Sequence, residues 1–127
     1  EGVPGHRRMG AVLIYAIERE GDFSVHAKDY RAQCGRRGQT VGKYRILVEG
    51  NKPGKHGFLL DNNSIPLYFE QQYRHARVFP SCEEIAAKAV LHFRTMCEHN
   101  GAVLTKVCAR ISVIKDSWIS AEWRVGL

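Results

Sequence analysis

The chain has 127 residues, 44% of them hydrophobic and 25% charged, with a formal net charge of +6. That length suits one domain whose core needs neither metal nor disulfide staples. The longest apolar run, Ala11 to Ile17, is too short to cross a bilayer, so a membrane-spanning helix is excluded and a soluble, cytoplasmic protein with no membrane partner is expected.

The first eight residues, EGVPGHRR, show no periodic pattern and no signal-peptide design. They are read as an N-terminal extension or a cloning remnant ahead of a single domain over 9–127. From Met9 to Glu20 the chain is mostly apolar and rich in Val, Ile and Tyr, which predicts a strand buried on both faces or at an interface. Gly21 and Asp22 mark a turn or bulge, after which the alternation of Phe23, Val25 and Ala27 with polar residues resumes the strand. Asp29 to Gly42 is a loop, and Lys43 to Gly50 a second strand with Tyr44, Ile46 and Val48 on one face. Asn51 to His56 turns on its Pro-Gly pair. Gly57 to Asp61 is a short apolar segment, and Ser64 to Arg74 predicts a short helix, capped by Ser64, with Ile65, Leu67 or Tyr68, and Tyr73 facing inward.

Pro80 to Gly101 predicts one long helix. Ser81 is its N-cap, with Glu84 placed to return a bond to the cap's own N–H. Ile85, Ala89, Phe93 and Met96 or Cys97 recur at helical spacing, and Gly101 supplies a left-handed stop. Beyond it, Val103 to Ile114 and Ile119 to Val125 alternate as a hairpin about a turn at Lys115 to Trp118. The order implies an α+β domain: a four-stranded antiparallel sheet, two strands from each end of the chain, with the helices between the second and third strands on one face.

Cys34, Cys82, Cys97 and Cys108 form no CxxC pair, and Cys82 and Cys97 stand roughly 22 Å apart along one helix at about 1.5 Å per residue, too far for a disulfide. Between Lys28 and Lys55 lie eight basic residues (Lys28, Arg31, Arg36, Arg37, Lys43, Arg45, Lys52, Lys55) against Asp29 and Glu49, which equals the whole surplus of charge. Such a segment either attracts nucleic-acid phosphate or a small anionic substrate, or is a pair of solvated loops.

Four motifs in this order resemble the tunnelling-fold (T-fold) enzymes, closest to the 6-pyruvoyl- and 6-carboxy-tetrahydropterin synthases. FSVHA (Phe23 to Ala27) stands where that family has Phe-Ser-Ala-Ala-His, followed by Cys34 at the place of a catalytic cysteine and VGKYR (Val41 to Arg45) at that of His-Gly-His-x-Tyr. GFLLDNN (Gly57 to Asn63) and PSCEEIA (Pro80 to Ala86) match the patterns that lead into the family's long helix, and KDSWISAEW (Lys115 to Trp123) matches its last hairpin. The likeness spans about Met9 to Val125.

The resemblance implies a homo-oligomer of subunits joined into a barrel, binding a pterin- or purine-like heterocycle at a subunit interface. In an active synthase-like lyase, Cys34 would transfer protons with His75 as its partner, acting on a phosphorylated dihydropterin. Lys115 or its neighbour Asp116 would replace the ligand-anchoring carboxylate, with Glu122, Ser81 and Lys43 as further substrate contacts and Trp118 either stacking on the ring or lying in a subunit contact. Of the family's three zinc-binding histidines, only His26 has a counterpart, one position early, and Val41 and Lys43 replace the other two. No metal or cofactor is therefore expected, and an inactive homologue is as consistent with the resemblance as a non-zinc enzyme. The alternatives are a basic α+β module binding nucleic acid, with Tyr30 or Tyr44 stacking on bases, and a structural oligomer with no ligand.

Overall fold

The computed structural model of the protein describes residues 5–9, 12–26, 39–76, 80–114 and 116–126. Among them run five strands and two helices: β1 (Gly5–Met9), β2 (Val12–His26), β3 (Gln39–Lys52), α1 (Ser64–Tyr73), α2 (Cys82–His99), β4 (Val103–Ser112) and β5 (Trp118–Arg124). The strands form one sheet in sequential order, each antiparallel to the next. The α+β class and the insertion of the helices between the two hairpins agree with the sequence pattern. The strand count does not: β1 adds a fifth strand, formed largely by residues assigned to the extension. GHRRM carries no apolar alternation, and its place in the sheet comes from main-chain pairing, with Met9 opposite Val12 and Gly5 opposite Ala16.

The helices cover one face of the sheet, α1 against β2 and α2 against β4 and β5. That face carries Ile17, Phe23 and Val25 of β2, Tyr44, Ile46 and Val48 of β3, and Val107, Ala109 and Ile111 of β4, all buried. Period-2 alternation puts Glu18, Glu20, Asp22, Lys43, Arg45 and Arg110 on the opposite, open face, whereas Arg19 stays on the covered side, its Nη1 donating to the Asn62 carbonyl at 3.4 Å. Of the strand expected to be buried on both faces or at an interface, Ile17 is covered by the helices, whereas on the other face Ala16 is buried and Glu18 and Glu20 are exposed.

The expected break at Gly21–Asp22 is absent. β2 runs through it in register, Gly21 opposite Tyr44 and Phe23 opposite Gly42. Each glycine leaves room for the ring across from it, since a Cβ at Gly21 would sit 2.4 Å from the Tyr44 hydroxyl oxygen and one at Gly42 2.5 Å from Cζ of Phe23. The irregularity falls instead between β3 and β4, where the register shifts at Glu49, Gly50 and Lys52.

In α1, Asn63 stands at the cap position without a side-chain cap bond. Ser64, expected there, is the first helical residue, and its hydroxyl donates to the Asp61 carbonyl at 2.6 Å. Ile65, Phe69 and Tyr73 face inward, and Leu67 is half exposed.

In α2, Ser81 is the N-cap, its Oγ accepting the Glu84 N–H at 3.1 Å. The reciprocal half of the capping box is replaced by an ion pair, as the Glu84 carboxylate reaches Lys88 at 3.2 Å. At the other end Gly101 is left-handed (φ 95°), the Ala102 N–H donates to the Cys97 carbonyl and the Gly101 N–H to that of Glu98, the two bonds of a Schellman stop. Since Ser81 satisfies one of the helix's open N–H groups, Ser81→Ala is expected to lower stability by about 1 kcal/mol in urea denaturation.

Cys82, Cys97 and Cys108 are free thiols. Burial pushes the Cys97 thiol up to about 12, so it packs as a small apolar side chain and not as a nucleophile. No helix among the described residues is long and apolar enough to cross a membrane.

Candidate functional site

The open face of the sheet carries a ladder of charges set by strand register. Asp22 lies opposite Lys43 and Glu20 opposite Arg45. Both pairs close into ion pairs, Lys43 Nζ to Asp22 Oδ1 at 3.3 Å and Arg45 Nε to Glu20 Oε1 at 3.6 Å. All four side chains are well exposed, so each contact is weak and exchangeable with a ligand. Farther along the face, Glu122 sits between Lys106 and Arg124, and its hydrogen bond from Arg124 holds its carboxyl below the usual carboxylate range.

At the end of the sheet where β2 and β3 meet the β4–β5 turn, this face forms an open concavity of about 400 Å³. Asp22, Lys43, Arg45, Asp116 and Trp118 line it. Asp116 has a left-handed backbone (φ 61°), a conformation that aspartate tolerates better than most residues. Trp118 opens β5, and the Arg45 guanidinium lies over its ring at 4.3 Å from the centroid, with that of Arg110 at 5.3 Å. Asp22 also borders a second concavity of about 590 Å³, between α1 and the same strands, where Ser24, Val41, Pro66, Glu70 and Arg74 converge.

Two of the residues singled out from the sequence, Lys43 and Asp116, are thus brought together, with Trp118 beside them. The rest are not. Glu122 belongs to the ion-pair cluster along the open face, Ser81 is occupied in capping α2, and His75 is exposed just beyond α1. Cys34 and Lys115 lie outside the described residues, as do Tyr30 and Lys28, Arg31, Arg36 and Arg37 of the basic segment. In the described part of that segment, Lys43 and Arg45 are each matched by a carboxylate of β2. Tyr44 is buried under the helices and unavailable for stacking on a base.

The zinc ion of the resembled family does not fit these residues. Val41 offers no donor and Lys43 is an ammonium already paired with Asp22. Among the described residues no three His, Cys, Asp or Glu side chains stand close enough together to hold a metal.

Sequence reasoning missed the pairing of Glu20, Asp22 and Arg45, the last named only within the basic segment, and it missed Arg110. A signal for the first three was present: two acidic residues two apart in one strand and two basic residues two apart in its hairpin partner pair off as soon as the register is known. Arg110 had none, since its neighbours come from two other strands. No family model matches the chain, and no curated protein matches it.

Proposed function

We propose that the chain is a tunnelling-fold-like subunit that binds a flat pterin- or purine-like heterocycle in the concavity of Asp22, Lys43, Asp116 and Trp118. The observation that carries this reading is the convergence of the Asp116 carboxylate, the Lys43 ammonium and the Trp118 indole in a single recess. A carboxylate at Asp116 accepts two N–H bonds from the 2-amino-pyrimidinone edge of such a ring, a charge-assisted bidentate contact. Trp118 supplies an aromatic wall, and Lys43 a donor for the ring's carbonyl oxygen. Leaving β1 aside, the order of two strands, two helices and two strands (β2, β3, α1, α2, β4, β5) supports the same reading. β5 is an edge strand among the described residues, with Trp118 at its start, and a neighbouring copy docked there would complete the recess as part of a homo-oligomer. In an active subunit the proton chemistry would fall to Cys34, with His75 in support.

A nucleic-acid module loses Tyr44, one of its two candidate base-stacking rings, because that side chain is buried under the helices. Calorimetric titration and thermal unfolding with pterin and with guanosine test the proposal. Either ring is expected to bind and stabilise the wild-type chain. Asp116→Asn, which retains tolerance for the left-handed backbone, is expected to weaken binding by about tenfold or more through loss of the charged acceptor, with unfolding of the free protein unchanged. Absence of binding by both rings would overturn the proposal.

A further inference from the structure

The open face contains one arrangement that fold stability alone does not call for. Arg45 and Arg110 are direct cross-strand partners on β3 and β4. Like charges placed opposite one another in an antiparallel pair repel, and strands ordinarily avoid them. Here both guanidinium groups gather about one indole, that of Trp118, at 4.3 and 5.3 Å. Glu20 reaches Arg45 at 3.6 Å and is itself 74% exposed. Among the described residues no carboxylate forms an ion pair with Arg110. Among the described residues, the two cations thus have one weakly held acid between them, Glu20, and it reaches Arg45 alone.

We infer that Arg45 and Arg110 form an oxyanion-binding site against the Trp118 indole, taking a phosphate or carboxylate group of a small ligand. Guanidinium groups suit this task because their planar N–H forks match the spacing of two oxygens on one acid. The indole limits the spread of both side chains, so they lose little freedom when the anion arrives. An anion between them also removes the repulsion, which the free protein carries at all times. Glu20 is displaced from Arg45 with little loss, as its contact is solvent-exposed. Because Trp118 is also the wall of the recess proposed above, a ring-bearing ligand with an acidic substituent would span both. That part rests on the ring-binding reading, while the oxyanion site itself does not.

Titration of the full chain with guanosine and guanosine 5′-monophosphate at low salt tests the two together. The nucleotide is expected to bind the wild type about tenfold or more tightly than the nucleoside, through two guanidinium contacts. In Arg110→Gln the advantage is expected to fall to near unity with guanosine affinity unchanged. Equal binding of the two probes to the wild type, or an advantage that survives Arg110→Gln, would overturn the oxyanion site and leave the ring site standing. If neither guanosine nor pterin binds, the ring reading alone fails and pyrophosphate decides. Saturable binding that weakens with added salt and is lost in Arg110→Gln supports the site, and no saturable binding to the wild type overturns it. Should Arg110→Gln not fold, Arg45→Gln replaces it: the nucleotide's advantage over the nucleoside is again expected to fall to near unity and pyrophosphate binding to be lost, with guanosine affinity free to change because Arg45 also lines the ring recess.

Discussion

Phe69→Ala is expected to destabilise the protein by about 3–5 kcal/mol, read as a lowered midpoint in urea with the slope unchanged. Phe69 is fully buried on the inward side of α1. Its ring stacks on Tyr44 of β3 at 4.2 Å with the planes 5° apart, and stands 5.0 Å from Phe23 of β2 and 6.2 Å from Phe93 of α2. One side chain thus joins two strands and both helices, and its neighbours are aromatic rings too rigid to collapse into the space it leaves. The loss is comparable to the whole stability of a marginal domain. Leu67, two residues away but half exposed, provides the contrast: Leu67→Ala is expected to change stability by less than about 0.5 kcal/mol. If the two substitutions cost the same, α1 does not pack on the sheet by the Phe69 face. Loosening α1 would also open the second concavity, the one between α1 and the sheet at Ser24, Val41, Glu70 and Arg74.

The contrast between Phe69 and Leu67 shows where sequence reasoning runs out. α2 was legible because its cap, its stripe and its left-handed stop are local signals that agree with one another. α1 is ten residues long and reads SIPLYFEQQY, with apolar residues at five consecutive positions from Ile65 to Phe69, so two phases fit equally well and only contact with the sheet selects one. The outer face of β3 was legible as charged, and the partners of its charges were not, because Gly21 was read as a break. A glycine inside a strand ordinarily marks a bulge. Here it marks a ring crossing from the next strand, which a single strand's sequence cannot reveal. Of the recess, Asp116 and Lys43 were legible through the likeness to pterin synthases, whereas the grouping of Arg45, Trp118 and Arg110 depends on the alignment of three strands at once.

Gly42→Ala is expected to cost about 1–3 kcal/mol, the range for forcing atoms into a filled core. The added methyl group would meet Cζ of Phe23 at 2.5 Å and a second ring carbon at 2.6 Å. The ring cannot recede, since it lies 5.0 Å from Phe69 and 5.5 Å from Tyr73 and is 5% exposed. The alternative is for β3 to move. Phe23→Leu removes the atoms that clash, so Gly42→Ala is expected to cost little in that background, and a double-mutant cycle in urea should return a coupling of about 1–3 kcal/mol. A coupling near zero would mean that the Phe23 ring does not lie over Gly42. The same cycle bears on the recess, because Gly42 is flanked by Val41 and Lys43, and the aromatic–glycine pairs at Gly21 and Gly42 hold the register that sets Asp22 opposite Lys43 and Glu20 opposite Arg45. A strand shifted by one residue would turn Lys43 and Arg45 toward the helices. The two glycines, far from breaking the hairpin, keep its charged residues on the face where a ligand can reach them.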